Sequence, residues 1–228
     1  MKQETSTVGQ WVTRDFRAAE VFKRVGIDFC CGGKQSLEEA CSEKKLDSAE
    51  LLQQLAELEQ TPVSAAYRFN DWSLDFLCDY LVNTHHRTVM RLLPQLTEYT
   101  QKIAQVHGEH HVELVQIAAL FTDIDRELRQ HLHQEETVLF PAIKEAVLSN
   151  NTDAKAVVLS EITRMLGEHE FAGGAMDEIR ILSRDYVVPA DGCNTYRVAY
   201  KLLEEFEDDL HIHVHLENNI LFPKALDL

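Results

Sequence analysis

The sequence is poor in several features that mark common classes of protein. Its 228 residues include only five prolines and nine glycines, and they contain no alternating β-branched run of useful length. No stretch approaches the roughly 18 apolar residues of a membrane-spanning helix, and no apolar run follows the first six residues as in a signal peptide. We therefore predict an all-helical protein that is soluble and cytoplasmic.

Positive charge and paired cysteines are also scarce. The formal net charge is -16, from 22 Lys and Arg against 38 Asp and Glu. This balance argues against nucleic acid and anionic membrane surfaces as main partners. The five cysteines form no even framework at disulfide-like spacing, which is typical of a reducing compartment.

One eleven-residue stretch occurs twice, and the rest of the chain is organised around it. The first copy is HLHQEETVLFP, which begins at His131, and the second is HVHLENNILFP, which begins at His213. Six of the eleven positions are identical. In each copy a His and a Glu lie four residues apart, so on a helix they share one face. The copies therefore predict two metal-ligating pairs, His131 with Glu135 and His213 with Glu217.

Apolar residues at helical spacing lead into both pairs, which places the pairs on buried faces. Ile117, Ile124 and Leu128 precede the first pair, and Phe206 and Leu210 precede the second. A buried carboxylate without a partner is costly, so both glutamates require compensation.

Two further histidines fit the same pattern. His169 lies within the buried stripe of a third helix, 44 residues before His213. A duplicated helix pair would place a His 44 or 45 residues before His131, and His86 lies 45 residues before it. Its neighbour His85 is a rival that helical periodicity does not exclude.

The histidines in the middle of each copy, His133 and His215, face away from their HxxxE pairs. We interpret them as outer residues or as residues that contact the ligands from outside the centre. The four inward histidines and two glutamates are too many ligands for one tetrahedral zinc. Shared between two ions, with Glu135 and Glu217 bridging, they leave positions open for oxo, hydroxo, water or a diatomic ligand.

The pattern predicts a small helical domain over residues 1–60, a linker over 61–70 and a four-helix bundle over 71–228. In the small domain Thr7, Ser36 and Asp47 are predicted to cap three helices. The first bundle helix is predicted to begin at a cap at Asn70 or Asp71 and to end at about residue 106. The second helix is predicted to end at 148, the third at about 183 and the fourth at the C-terminus. The prolines at 141 and 223 are expected to kink or end their helices.

The small domain carries adjacent cysteines, Cys30 and Cys31, followed by Gly32 and Gly33. Adjacent cysteines are a poor disulfide pair, so we expect thiols. The glycines are expected to bring backbone N–H groups near the sulfurs and to favour thiolate. The alternative is that the pair are two small buried apolar residues in a turn.

These residues resemble a known protein family. The order His, HxxxE, His, HxxxE with the Leu-Phe-Pro ending is similar to the hemerythrin-like HHE domain, over about residues 71–228. Asp-Phe-Cys-Cys-Gly-Gly ahead of such a bundle resembles the iron-sulfur cluster repair di-iron proteins, the RIC (repair of iron centres) family. The resemblance implies an up-down-up-down bundle with two non-haem iron ions, bridged by carboxylates and able to carry an oxo bridge. It implies six metal ligands and a cofactor-binding cysteine pair: His86, His131, Glu135, His169, His213 and Glu217, with Cys30 and Cys31.

For function, the resemblance implies a bacterial cytoplasmic protein that restores iron-sulfur clusters damaged by nitric oxide or peroxide, with the di-iron centre as a source of iron. Its partners would be damaged iron-sulfur proteins or their assembly machinery, with nitric oxide or oxygen as small ligands, and it would act as a monomer or homodimer. Glu168 is predicted to line a polar path to the metals. Two alternatives remain open: reduction of nitric oxide to nitrous oxide, and a module that binds or senses diatomic gases. The Cys pair favours repair over gas sensing, because a gas carrier has no need of it.

Overall fold

A computed structural model describes residues 6–149 and 151–228. Within these ranges the only β-type pairing is a single antiparallel bridge between Thr7 and Ser36, and all other regular structure is helical. The α-helices follow in the order α1 (Val8–Arg14), α2 (Ala18–Arg24), α3 (Leu37–Lys44), α4 (Ser48–Leu58), α5 (Leu74–Leu81), α6 (Arg87–His107), α7 (Glu113–Gln134), α8 (Phe140–Ser149), α9 (Thr152–Leu182), α10 (Asn194–Leu216) and α11 (Phe222–Leu226). Short 3-10 turns occupy Ala65–Tyr67 and Phe69–Asp71. No helix in the described ranges is long and apolar enough to cross a membrane.

Three of the connections between helices are single π-helical turns that continue the helix without a break. These turns are Val82–His86 between α5 and α6, Glu135–Leu139 between α7 and α8, and Glu217–Leu221 between α10 and α11. Each begins or ends at a residue that the sequence predicts as a metal ligand. A π-turn holds one more residue than an α-turn and occurs frequently at functional sites.

The chain divides into two compact units, and the division falls inside α10. One unit contains the residues up to Leu77 together with Val214–Leu228, and the other contains Cys78–His213. The domain boundaries predicted from the sequence, 1–60, 61–70 and 71–228, remain predictions.

The helix caps of the first unit are those that the sequence predicts. Thr7 and Ser36 each form a capping box with the residue three positions later, and the Asp47 carboxylate accepts hydrogen bonds from the next turn. The first predicted helix, however, is divided into α1 and α2. The Asp15 carboxylate accepts a hydrogen bond from the backbone N–H of Arg17 at 3.0 Å, and this local bond replaces a helical one.

The predicted cap at Asn70 or Asp71 is wrong, because α5 begins only at Leu74. Both residues belong to the 3-10 turn Phe69–Asp71. The Phe69 ring packs edge-on against Trp72, with centroids 4.7 Å apart, and against Phe16 at 5.1 Å. These aromatic contacts hold the segment in a turn ahead of the helix.

The second unit is a bundle of antiparallel rods, as predicted. A rod is either one α-helix or two α-helices joined through a π-turn. The helix α6 packs on α7, and both α7 and α8 pack on α9. The rings of Phe121 on α7 and Phe206 on α10 meet edge to face at 5.3 Å, a contact that contributes about 1 kcal/mol beyond burial alone. Short connections join successive rods, which sets their antiparallel order.

Pro141 does not end its helix, and the other expected effect, a kink, stays a prediction. It is the second residue of α8, which continues to Ser149. The π-turn Glu135–Leu139 lies directly before α8, so Pro141 falls where the regular hydrogen-bond pattern restarts and a missing N–H is tolerated. Pro223 occupies the equivalent place in the first turn of α11.

The turn after α9 is held by a buried charge. Arg184, Asp185 and Tyr186 all adopt left-handed backbone conformations, which cost about 1–2 kcal/mol each in residues with a Cβ. Glu207 of α10 is fully buried, and it accepts hydrogen bonds from the Tyr186 hydroxyl at 3.0 Å and from Nε of Arg180 at 3.0 Å. Burial raises the pKa of Tyr186, so its hydroxyl remains a donor. The Glu207 carboxylate thus offsets the strain of the turn.

We expect Arg180→Met to destabilise the protein by about 3 kcal/mol, because it leaves the Glu207 carboxylate buried without its guanidinium partner. The value lies at the lower end of the range for buried pairs because Arg180 is partly exposed. Urea denaturation of the metal-free protein gives the free energy of unfolding. The double variant Arg180→Met/Glu207→Leu should recover most of the loss, and a loss below about 1 kcal/mol in the single variant would contradict this account.

Candidate metal centre

Four histidines and one glutamate of the second unit meet in the core of the bundle. His86 ends the π-turn before α6, His131 lies on α7, His169 on α9 and His213 on α10. Glu135 begins the π-turn that continues α7, and its side chain has no exposed surface. All four histidines are also buried. Each rod of the bundle therefore delivers one imidazole to the same region.

The five side chains form two groups that share Glu135. His86, Glu135 and His213 offer potential ligand atoms within 4.8 Å of one another, and so do His131, Glu135 and His169. Either group could hold a metal ion. A carboxylate common to two such groups is placed as a bridging ligand would be.

The distances between donor atoms fit metal ions. Oε2 of Glu135 lies 3.4 Å from Nε2 of His86 and 3.3 Å from Nε2 of His131. Nε2 of His131 lies 3.1 Å from Nε2 of His169. Two donors that bind one ion at about 2.1 Å and at right angles lie about 3 Å apart. The donor set of imidazoles and carboxylate suits iron, manganese or zinc.

A further carboxylate orients each of two imidazoles. Nδ1 of His86 lies 2.8 Å from Oε1 of Glu136, and Nδ1 of His131 lies 2.7 Å from Oε2 of Glu168. A carboxylate accepts the Nδ1–H, which leaves the Nε2 lone pair directed at the centre. The hydrogen bond from His131 lowers the pKa of Glu168, and the Arg164 guanidinium on the same helix acts in the same direction.

His85 is placed differently from its neighbour His86. Nδ1 of His85 lies 3.0 Å from Oδ1 of Asp209, and its ring stacks on that of His213 with centroids 5.5 Å apart. Among the described residues the potential metal-holding groups include His86 and not His85. The geometry therefore favours His86, the residue that the repeat spacing indicates.

Glu217 lies on the other side of the division of the chain. It begins the π-turn that continues α10, one helical turn after His213, and it is fully buried. Its position in the second copy of the repeat is that of Glu135 in the first. Both glutamates of the HxxxE pairs thus begin a π-turn, a feature that the sequence pattern did not predict.

The two middle histidines of the repeat differ. His133 is exposed, in agreement with an outer position, whereas His215 is not an outer residue. The other predicted alternative for His215, contact with a ligand from outside the centre, stays a prediction. His215 is fully buried in the first unit, where its ring packs on Phe29 at 5.7 Å and its Nδ1 lies 3.3 Å from the Phe29 carbonyl oxygen. Burial lowers the pKa of His215 to about 4. The segment that carries the two cysteines covers it, and helical periodicity cannot anticipate such a contact.

The expectation that the loop amides favour a thiolate at Cys30 is wrong. The Asp28 carboxylate accepts hydrogen bonds from the backbone N–H of Cys30 and of Gly32, both at 2.7 Å. Gly33 N–H is directed to the Cys30 carbonyl, so these amides do not face the sulfurs. The hydrogen bond with Cys31, together with burial, raises the pKa of the Cys30 thiol well above its usual value.

The cysteine loop still offers metal ligands. Cys30 Sγ lies 3.0 Å from Oδ1 of Asp28 and 3.9 Å from Cys31 Sγ, and the three residues form a potential metal-holding group. Asn219 secures the loop by donating from Nδ2 to the Cys30 carbonyl oxygen at 3.2 Å. A Cβ at Gly33 would lie 2.8 Å from the backbone carbonyl oxygen of Phe29, so only glycine fits there.

Residues that orient the imidazoles were only partly predictable. Glu168 was expected near the metals, and its i,i+4 pair with Arg164 is visible in the sequence. Glu136 and Asp209 were missed, because each contacts a histidine from a different rod. No pattern within one helix signals a contact of that kind.

Comparison with known proteins identifies both parts of the chain. The family described as hemerythrin HHE cation binding domain matches residues 79–225. The family described as Domain of Unknown function (DUF542), ScdA_N, matches residues 4–59.

Relatives of similar length match nearly the whole chain. A protein of Yersinia pestis (strain Pestoides F), named iron-sulfur cluster repair protein YtfE, is 36% identical over 92% of this chain and 91% of its own length. The protein of the same name from Musicola paradisiaca (strain Ech703) is 34% identical over 99% of this chain and 98% of its own. The residues that carry the resemblance lie within the matched regions. The chain therefore belongs to the family of hemerythrin-like iron-sulfur cluster repair proteins.

Proposed function

We propose that this protein repairs iron-sulfur clusters damaged by nitrosative or oxidative stress, and that it does so by supplying iron from a non-haem di-iron centre. The observation that carries the proposal is the sharing of buried Glu135 between two histidine groups. The names of the relatives support the repair role. In this proposal iron is both the resident metal and the cargo.

Six residues form the proposed ligand set. His86 and His213 would hold one ion, and His131 and His169 would hold the other. Glu135 would be shared between them, and Glu217 would be the second carboxylate by its equivalent place in the repeat. When bound, the iron pair supplies labile ferrous iron and open positions for an oxo group or for a diatomic ligand such as nitric oxide or oxygen.

Glu168 and Arg164 give the buried centre a polar connection to solvent. Glu168 holds Nδ1 of His131 at 2.7 Å while its side chain is 28% exposed, so one carboxylate touches both the imidazole and water. Arg164 forms an ion pair with Glu168 and with Glu161 at the surface. We assign this route to the passage of iron, in agreement with the predicted polar path.

The cysteine loop is the proposed receiver of released iron. Cys30 is a neutral thiol, so iron binding displaces its proton, and Asp28 and Cys31 supply the other ligands. Within the first unit the loop is bound to His215 and Asn219, which lie two positions before and after Glu217.

The remaining parts of the proposal concern the cellular compartment, the macromolecular partners and the oligomeric state. We place the protein in the cytoplasm, since its five cysteines are not in disulfides. Its macromolecular partners are damaged iron-sulfur proteins or their assembly machinery, and it acts as a monomer or homodimer.

Recovery of a damaged enzyme tests the repair role directly. Iron-loaded protein mixed with a nitrosylated iron-sulfur dehydratase should restore its activity faster than free ferrous iron at equal concentration, with metal-free protein as the control. No gain over free ferrous iron would overturn the proposal.

We expect Glu168→Gln to weaken iron binding about 10- to 100-fold, because the Nδ1–H of His131 then loses its carboxylate acceptor. Competition with a chelator measures the affinity. The matched control is Glu170→Gln, an exposed residue of the same helix, which should leave the affinity unchanged. Equal affinities of the two variants would show that Glu168 does not orient a ligand.

We expect the double variant Cys30→Ser/Cys31→Ser to keep the iron content of the protein and to lose the advantage over free iron in the recovery assay. The physical reason is that the loop can no longer offer two sulfur ligands to released iron. Cys41→Ala, a change at a buried thiol of α3, is the control. Full recovery by the double variant would remove the loop from the mechanism.

A further inference from the structure

A second cluster of reactive side chains lies far along the bundle from the metal centre. His107 ends α6 and His111 lies in the turn before α7, while Cys193 directly precedes α10. All three belong to the second unit. The helix α6 has 21 residues between the turn that ends in His86 and its own end at His107, a length of about 30 Å. The proposed metal ligands therefore take no part in this cluster.

The central contact of the cluster joins a thiol to an imidazole. Nε2 of His107 lies 3.2 Å from Sγ of Cys193, and Cys193 is exposed. The backbone N–H groups of Tyr196 and Thr195, in the first turn of α10, also face the sulfur. The hydrogen bond with His107, followed by that with Tyr196, lowers the pKa of the Cys193 thiol from 9.0 to about 7.

The ionisable side chains near Cys193 other than His107 contact one another rather than the sulfur. Nε2 of His111 lies 3.1 Å from Asp191, and Nδ1 of His111 lies 3.3 Å from Glu113. These two carboxylates raise the pKa of His111. The hydrogen bond with His111 in turn lowers the pKa of Asp191. The Tyr196 ring packs on His107 at 5.5 Å, and Arg197 donates to the Gly192 carbonyl oxygen at 3.4 Å. The sulfur is thus left facing His107 and the first turn of α10.

The other cysteines lack this combination. Cys30, Cys41 and Cys78 are buried, and the pKa values of the Cys30 and Cys41 thiols are raised. Cys31 is half-buried. Cys193 alone among the five joins full exposure to an imidazole partner and backbone donors that stabilise a thiolate.

We propose that Cys193 is a thiol exchange site, at which low-molecular-weight disulfides reversibly cap the protein, with His107 as the residue that positions and stabilises the thiolate. Nε2 of His107 forms a hydrogen bond with the Cys193 sulfur at 3.2 Å and so holds the thiolate in place. The Cys193 thiolate attacks one sulfur of the small disulfide, a new S–S bond forms and the old one breaks, and the second half leaves as a thiolate. The small disulfide is the oxidant and is reduced, the Cys193 sulfur is oxidised, and the leaving thiolate takes a proton from water.

The chemical consequence is a surface site that reports the thiol–disulfide balance of its surroundings. At pH 7 about half of Cys193 is thiolate, against about one per cent for a thiol with a pKa near 9. This site is independent of the proposed repair function, so each can fail without the other.

The test uses oxidised glutathione and the full-length, iron-loaded protein. The rate at which one glutathionyl group joins Cys193 is followed by mass spectrometry of peptides between pH 5 and pH 10, and a thiol reductant then reverses the change. The wild-type rate should rise with a midpoint near pH 7, and Cys193 should react before the other four cysteines. A midpoint near pH 9, or faster reaction at another cysteine, would overturn the proposal without any variant.

The variant His107→Asn separates a positioning role from mere exposure. Its midpoint should rise from about pH 7 towards pH 9, because only the backbone donors of Tyr196 and Thr195 remain, and its rate at pH 7 should fall about two- to sixfold. The fall is smaller than the change in thiolate fraction because a more basic thiolate is the better nucleophile. For the same reason the variant should react faster than wild type above pH 9, a reversal that general damage to the fold would not produce. His110→Asn, a change at an exposed residue of the same turn, should keep the wild-type profile, whereas identical profiles for wild type and His107→Asn would overturn the proposal.

Discussion

The burial of Glu135 is the constraint on which the rest of the bundle depends. Its carboxylate has no exposed surface, and an ionised carboxylate in an apolar core costs several kcal/mol unless positive charge or hydrogen-bond donors compensate it. The imidazoles nearest to it present Nε2, while Nδ1 of His86 and His131 is directed to Glu136 and Glu168. This arrangement gathers several carboxylates around the imidazoles. Metal cations between the rings and Glu135 would balance the carboxylate charge.

The same constraint explains why the ligands come from all four rods. One helix can place only a His and a Glu on a common face, so an ion with several protein ligands requires neighbouring helices. The π-turns at Glu135 and Glu217 follow the two HxxxE pairs, and each ends just before a Phe-Pro pair. The duplicated sequence therefore encodes a duplicated backbone feature as well as duplicated candidate ligands. His215 and Asn219 belong to the second copy, and in the first unit they form hydrogen bonds that hold the cysteine loop.

The sequence predicted what depends on spacing within one helix or on symmetry between the copies. The HxxxE pairs, the buried face of α7 and the choice of His86 by its 45-residue distance from His131 all follow from such regularities. The sequence did not predict the features that depend on contacts between distant segments of the chain. His215 is buried because Phe29 covers it, the amides of the cysteine loop turn to Asp28, and α5 begins late because Phe69 packs on Trp72. The π-turns were also not predicted, because their apolar pattern differs from that of an α-helix by a single residue.

The central claim is that six side chains hold a pair of iron ions with Glu135 between them. Mössbauer spectroscopy combined with iron analysis of anaerobically purified protein tests it most directly. The account predicts two iron ions per chain with the spectrum of a coupled high-spin pair, and loss of the coupled signal in Glu135→Ala. One iron per chain, or a single tetrahedral ion that remains bound in Glu135→Ala, would contradict it.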